Sequence, residues 1–468
     1  MRKTKIVCTI GPASGSSRVV RRLLSHVDVF RINFSHGDAA THLSEIRTIR
    51  GESKRAGKMV AILQDLPGPK IRVGRMKDGA VDLSKGSHFT LTSEAVAGDA
   101  TGASVNYPGL LESVRGGDLL YLADGLIKLR VEQKTEEGIR CLVLAEGVLS
   151  SGKGVNAPGV KMKVEYPTQQ DVQHLSFGTK HAVDFVAASF VRTPDDVRAI
   201  RKLLGAGPQF LIAKIEKREA VVNFDAILEE ADGVMVARGD LGIETPIQNV
   251  PVIQKEIVRK CNAAGKPVIV ATQMLISMVN SPVPSRAEVT DVSAAILDGT
   301  DAVMLSDETA VGRYPLESVR MLDSIARSAE RLVRPRFPSG QRVGAGVSEE
   351  AIGRAACSLA DYVGAKAIVA PTQTGSTAKR VAMCRPRQPI VALCTEPRVA
   401  RVMKLYNGVV PVVSASAKTV DRLFSRADLA ATELGLAKKG ERIVVTSGTP
   451  GVKGTTNLIR LSVVGSGA

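Results

Sequence analysis

A lysine, two acids and an arginine stand at the ends of two apolar runs, Phe210-Leu-Ile-Ala-Lys-Ile-Glu216 and, one helix-length further on, Val234-Met-Val-Ala-Arg-Gly-Asp240. Such runs read as interior strands, where ionisable side chains are rare unless they are paired or bound. In proteins that alternate strand and helix, the carboxyl ends of parallel strands form the active-site rim. Two carboxylates suit one hard cation, typically Mg²⁺, while the lysine and arginine suit a phosphate that the same cation bridges. The chemistry that calls for all four groups is phosphoryl transfer.

The elements that would hold these groups can be counted. Eight short apolar runs occupy 6–10, 29–34, 59–64, 184–188, 210–215, 233–237, 267–271 and 302–305. Eight strands close a (β/α)₈ barrel, and helical patterns separate most of the runs. Start signals stand at Thr193-Pro-Asp-Asp196 and at the capping box Ser285-Arg-Ala-Glu288, whose helix Gly299 can end. The spacing breaks once, because about 120 residues separate the third and fourth runs, where a βα unit needs roughly 30 to 40. That stretch carries alternating pieces at 88–92, 119–123, 127–131 and 141–144 with Gly-rich turns, so a small β domain is inserted beside the strand ends. After the Pro/Gly linker Arg334-Pro-Arg-Phe-Pro-Ser-Gly340 the strand–helix alternation restarts as an open α/β unit. Its helices are expected at 348–363, 375–384, 396–406 and 418–434, and its strands at 366–370, 389–394, 409–413 and 441–446. The expected division is 1–68 with 165–334 for the barrel, 69–164 for the insertion and 341–468 for the last unit.

Bulk properties narrow the class. The chain has 468 residues, too many for one ordinary core, and 44% are hydrophobic. It shows no apolar run long enough for a membrane helix and no signal-peptide pattern, so a cytoplasmic setting is the expectation. Six cysteines lack metal-ligand or pairing spacing and read as thiols, with neither a zinc site nor a disulfide frame. The net charge of +16 suits anionic small substrates or nucleic acid. With no Trp and 3% aromatic residues, few stacking platforms exist for the latter.

Polar residues at the strand ends are Arg31 and Asn33, Asp65, Ser189, Lys214 and Glu216, Arg238 and Asp240, Thr272, and Ser306. Seven strands thus point to one pocket. All of these but Asp65 and Ser189 lie within a set of longer strings: Thr4-Lys-Ile-Val-Cys-Thr-Ile-Gly-Pro-Ala-Ser14, Arg31-Ile-Asn-Phe-Ser-His-Gly37, Ala213-Lys-Ile-Glu216, Val234 through Glu244, Ala271-Thr-Gln-Met-Leu275, Arg286-Ala-Glu288 and Leu297 through Ser306. In order and over the whole barrel, the chain resembles the pyruvate kinase family. The resemblance implies a TIM barrel, an inserted small β-barrel lid, a C-terminal regulatory and assembly domain, and usually a homotetramer. It also implies phosphoenolpyruvate, ADP/ATP and pyruvate as substrates and products in glycolysis, with Mg²⁺, or Mn²⁺ in its place, as cofactor.

By that resemblance Lys214 stabilises the phosphoryl group in flight, Arg31 clamps the phosphate, and Glu216 with Asp240 ligates the metal. Thr272 positions or protonates the enolate, and Ser306 belongs to the proton relay. Backbone amides at Arg238, Gly239 and Asp240 hold the substrate carboxylate. Pro12, Asn33, His36 and Arg72 lie on the nucleotide side. Each has a plainer alternative: a snorkelling lysine, a helix-capping acid, a structural ion pair, a β-branched strand residue or loop chemistry. Thr372-Gln-Thr-Gly-Ser-Thr377 has the small donors of a phosphate loop. The resemblance makes Thr372, Thr374, Gly375, Ser376 and Thr377 an effector loop, closed nearby by 446–455, for a phosphorylated sugar or nucleotide.

Departures from the family pattern matter too. The third strand continues as Leu63-Gln-Asp-Leu-Pro-Gly-Pro-Lys-Ile-Arg72, where potassium-dependent members carry Thr at Leu66 and Glu at Lys70. Asn33, Ser35 and Asp65 of the monovalent-cation pocket remain, and the Lys70 ammonium would supply the positive charge, predicting independence of K⁺. Ile276 replaces a common Glu, and Asp307 a common Gly or Ala. Two other readings stay open: a Mg²⁺-dependent barrel lyase or aldolase acting on pyruvate enolates without ADP, and a polyanion-binding protein using the basic charge.

Overall fold

The computed structural model describes residues 1–162, 164–205, 207, 209–335, 347–417, 419–448 and 456–466. The linker from Arg336 to Gly340 and residues 449–455 of the second C-terminal loop lie outside the described residues.

Eight parallel strands close a barrel: Lys5–Thr9, Val29–Asn33, Ala61–Asp65, Phe185–Ala188, Phe210–Ile215, Gly233–Ala237, Val268–Ala271 and Ala302–Leu305. Closure is made by the first strand, in which Cys8 stands opposite both Phe30 and Leu305. Alternation along each strand sorts residues into two shells. Val7, Leu63, Phe185, Ile212, Met235 and Met304 pack with one another, while Ile6, Ile62, Val186, Leu211, Val234 and Val303 pack with the surrounding helices. On the fifth strand Phe210, Ile212 and Lys214 share a face, and Glu216 follows in phase. An apolar interior column thus ends in a charged pair at the rim.

The expected caps are present. Ser285 Oγ accepts from Glu288 N at 3.3 Å, and Glu288 Oε2 accepts from Ser285 N at 2.8 Å. The helix they start, Arg286–Leu297, is followed by Gly299 at φ 95°. Asp196 Oδ2 accepts from Thr193 N at 3.2 Å at the head of helix Pro194–Leu204. Each cap satisfies an amide that the first helical turn leaves unpaired.

The long gap between the third and fourth strands holds the inserted β segment. Six of its strands form one sheet around the antiparallel pair Ile127–Thr135 and Gly138–Ala145. Ala80–Leu83 pairs with Gly147–Ser150 as a separate ribbon. The small β-barrel expected here takes the form of these two sheets, and isolated bridges at Arg72–Gly154 and Val73–Val105 join the 72–73 segment to residues beside the two outer strands of the six-stranded sheet.

The last unit is a five-stranded sheet in which Val409–Val413, Ile390–Cys394, Ile368–Thr372 and Arg442–Ser447 are parallel and Leu458–Val463 adds an antiparallel edge. That edge strand was not expected. Arg460 and Ser462 interrupt its apolar residues, and an edge needs only one apolar face. The unit docks on the barrel floor, opposite the rim. Lys5 Nζ donates to Val409 O at 2.7 Å, and Gly408 N donates to Lys3 O at 3.0 Å. Arg385 donates to Asp301 at 2.7 and 3.0 Å and to Asn262 Oδ1 at 2.6 Å. All six cysteines are buried free thiols. Among the described residues no helix is long and apolar enough to cross a membrane.

Candidate active site

The rim is organised around one lysine. Lys214 Nζ donates to Ser189 Oγ at 2.6 Å and lies 3.1 Å from Asp65 Oδ1 and 2.9 Å from Glu216 Oε1. Arg31 Nε donates to Asp65 Oδ2 at 2.7 Å, and its Nη1 donates to Thr9 Oγ1 at 3.0 Å. Ser189 Oγ donates to Asp65 Oδ1 at 3.2 Å. Residues from five strands are therefore joined by direct bonds. Burial works against the Lys214 ammonium, but Asp65 and Glu216 hold it above its usual range. Burial would raise Asp65, and Lys214 with Arg31 overcomes that and keeps it ionised. The lysine is a fixed charge, buried at the mouth of the barrel.

Glu216 is the less settled carboxylate. Burial raises its pKa, Lys214 opposes the rise, and the negative charge of Asp240 adds to it. Its Oε2 accepts from Phe190 N at 2.7 Å, and Phe190 sits at φ 57°, a costly backbone for an aromatic residue. Two carboxylates held within reach of each other's field repel one another, and a bound divalent cation would relieve that repulsion. Among the described residues no group of three or more His, Cys, Asp or Glu gathers. The protein thus offers two hard oxygen donors and leaves the remaining positions to substrate and water, which fits Mg²⁺.

Thr272 lies across the mouth. It and Gln273 both have left-handed backbones, at φ 67° and 55°, strained for a β-branched residue. Thr272 Oγ1 accepts from Gly239 N at 2.8 Å and donates to Ala271 O at 2.6 Å. Arg238 fastens this turn: its Nη2 donates to Thr272 O at 2.9 Å and Gln273 O at 3.2 Å, and its Nη1 to Asp291 Oδ2 at 2.6 Å. The guanidinium is spent on the turn, and the Gly239 amide expected for the substrate carboxylate is engaged by Thr272. Ser306 Oγ is buried and has no hydrogen-bond partner among the described residues. Its backbone N donates to Glu308 Oε2 at 2.7 Å, and burial raises the pKa of that glutamate.

Of the nucleotide-side candidates, His36 and Arg72 lie within each other's field. His36 is pushed below its usual pKa, first by burial and then by Arg72 and Arg31. Arg72 Nη1 donates to Gly152 O at 3.0 Å, Pro12 is exposed, and Asn33 Oδ1 accepts from Ser35 N at 3.2 Å. Lys70 was expected beside Asn33, Ser35 and Asp65, but its Nζ rests 3.1 Å from Asp240 Oδ1 and 5.9 Å from the centre of the Phe190 ring. The turn before it brings it there, because Gly68, at φ 62°, packs so closely on Ser189 that a Cβ would lie 2.9 Å from Ser189 O. In the C-terminal unit Gly375 N donates to Thr372 Oγ1 at 2.9 Å and Thr377 Oγ1 lies 3.0 Å from Thr456 Oγ1. Thr374 and Ser376 stand at the head of the same helix, Ser376–Met383.

Several participants escaped sequence reasoning. Thr9 orients Arg31, and its signal was only that it ends the first strand. Phe190 joins Glu216 to two ammonium groups, since Lys217 Nζ also lies 5.8 Å from its ring centre. Glu244 accepts from Lys217 at 2.5 Å and from Asn156 of the inserted segment at 3.1 Å. Nothing in the local spacing announced these pairings.

With this geometry in view, comparison with known proteins is specific. The family model described as "Pyruvate kinase, barrel domain" matches residues 1–319, and "Pyruvate kinase, alpha/beta domain" matches residues 350–462. A protein of Staphylococcus saprophyticus named pyruvate kinase is 46% identical over 99% of this chain and 81% of its own length. One of Geobacillus stearothermophilus with the same name is 45% identical over 99% and 80%. One of Clostridium acetobutylicum is 43% identical over 99% and 100%.

Proposed function

The chain belongs to the pyruvate kinase family of phosphotransferases, and from that premise we propose that its barrel mouth passes the phosphoryl group of phosphoenolpyruvate to ADP, giving pyruvate and ATP in glycolysis. The observation that carries this reading is Lys214, fixed between Asp65 and Glu216 with Glu216 in the field of Asp240. A rigid buried ammonium stabilises charge on a phosphoryl group in flight without having to reorganise. Arg31, already oriented by Asp65 and Thr9, clamps the phosphate. Glu216 and Asp240 hold Mg²⁺, with a second Mg²⁺ accompanying the nucleotide; bound there, the cation neutralises phosphate oxygens. Thr272, held by its strained turn, meets the enolate carbon, and the buried Ser306 hydroxyl, without a partner among the described residues, belongs to the relay that delivers the proton. Pro12, Asn33, His36 and Arg72 receive ADP.

The segment 69–164 acts as a lid that excludes water from the transferring group. Residues 341–468 form the regulatory and assembly unit, with a phosphorylated effector at Thr372, Thr374, Gly375, Ser376 and Thr377, in a cytoplasmic homotetramer. Independence of K⁺ is supported by Leu66 and Lys70 in place of Thr and Glu, and by Asp65 already facing two cations.

The test is pyruvate formation from phosphoenolpyruvate with ADP, Mg²⁺ and K⁺ each omitted in turn. The rate should require ADP and Mg²⁺ and hold without K⁺. Pyruvate released without ADP would favour an enolate lyase, and strong restoration by KCl would overturn the K⁺ reading.

A further inference from the structure

Each proposed metal carboxylate already has a lysine, but the two lysines are held differently. Lys214 shares a strand with Glu216, and its side chain is only 10% exposed, between three partners. Lys70 comes from the start of the inserted segment and reaches Asp240, 170 residues away in sequence, with one ion pair. Both of its ends are wetter, at 23% for Lys70 and 20% for Asp240. An ion pair so placed is weak and exchangeable. The returning strand of the insertion touches the same lysine: a Cβ on Gly154 would lie 3.0 Å from Lys70 Cε, so the stem runs between the insertion and the barrel.

We infer that Lys70 is a tethered counter-ion that occupies Asp240 while the divalent cation is absent and is displaced when the cation binds, so that metal loading loosens the root of the inserted segment. The inference rests on the reading of Glu216 and Asp240 as metal ligands. Both the lysine and the metal neutralise Asp240, and the carboxylate cannot keep the same oxygen on each. The freed ammonium has a resting place on the Phe190 ring face, where it already lies at 5.9 Å. Two contacts across the same gap differ in consequence. Asn156 to Glu244, one helical turn on from Asp240, joins insertion to barrel without using a metal carboxylate and survives loading, whereas Lys70 to Asp240 does not. Loading therefore releases the Lys70 fastening and keeps the Asn156 one, and the segment gains freedom at 69–73 without leaving the barrel.

The experiment measures Mn²⁺ binding to the substrate-free enzyme by the paramagnetic resonance of the free ion, together with amide hydrogen exchange of residues 69–73. Lys70→Met should bind Mn²⁺ about five-fold more tightly, equivalent to an ion pair of about 1 kcal/mol removed from competition. Lys70→Arg, which keeps the pair, should bind as the wild type does. Mn²⁺ should speed exchange at 69–73 in the wild type, and Lys70→Met should exchange fast with or without the ion. Unchanged wild-type exchange on adding Mn²⁺, or unchanged affinity in Lys70→Met, overturns the inference. Glu216→Gln separates the premise: it should abolish tight Mn²⁺ binding, and if binding persists both the metal-pair reading and this inference fail.

Discussion

Lys214 is a charge that burial disfavours and that two carboxylates and a hydroxyl keep in place, so its value lies in being rigid. Replacing it by methionine keeps the stem and removes the ammonium. Steady-state kinetics of Lys214→Met should show kcat lowered by roughly 10²–10³, the usual cost of losing one preorganised stabiliser of transition-state charge. The KM for phosphoenolpyruvate should change much less. Equal kcat in the variant would remove Lys214 from the chemistry. Its place was legible in the sequence, because Phe210, Ile212, Lys214 and Glu216 alternate in phase. Arg238 shows where that logic stops. Its strand-end position says nothing of where its guanidinium goes, and that group fastens the Thr272 turn and Asp291, since a long side chain reaches whatever acceptor the next loop supplies.

Among the elements, the start of the second strand anchors the barrel floor. Asp28 accepts from Ile6 N at 3.1 Å and pairs with Arg2 at 2.8 Å. Burial would raise its pKa, but Arg2, Lys5 and Lys404 outweigh burial and hold it at about 2. A carboxyl depressed on folding stabilises the fold above its unfolded pKa near 4, and that stability is lost as pH falls from there through the folded value. Asp28→Asn should therefore be less stable than the wild type at pH 6, by about 2 kcal/mol. The gap should narrow as pH falls below about 4. Urea unfolding along the acid limb reads this directly, and a gap independent of pH would contradict it. The strands and caps of this region were legible, since alternation and capping are local. The cluster of Asp28 with Arg2, Lys5 and Lys404 was not, because its members come from two strands and the C-terminal unit.

For the whole molecule, the floor of the barrel and the C-terminal sheet are joined by buried charges. Arg385 is the clearest, donating to both Asp301 oxygens, Asn262 and Gly299 O while its side chain is 5% exposed. Removing one partner of a buried pair costs about 3–5 kcal/mol, because the other charge stays behind unpaired. In calorimetry Arg385→Ala should give a lower first melting transition that separates C-terminal unfolding from barrel unfolding. A single transition at the wild-type temperature would show that the units are joined elsewhere. Three units were legible from changes in pattern along the chain. Which face of the barrel the last unit covers was not, because docking depends on residues such as Lys3, Lys5 and Arg385 that look like ordinary surface cations in sequence.

The sequence alone determined whatever has a short period or a short reach: eight strands, their inward phase, the caps, the inserted β segment, and which charged groups stand at the rim. The tertiary structure decided which partner each long side chain takes. Lys70 lies on Asp240, Arg238 on Thr272 and Asp291, and Thr9 beneath Arg31. Alternation is a property of one strand's backbone, whereas an ion pair depends on the positions of two elements that only closure of the barrel brings together.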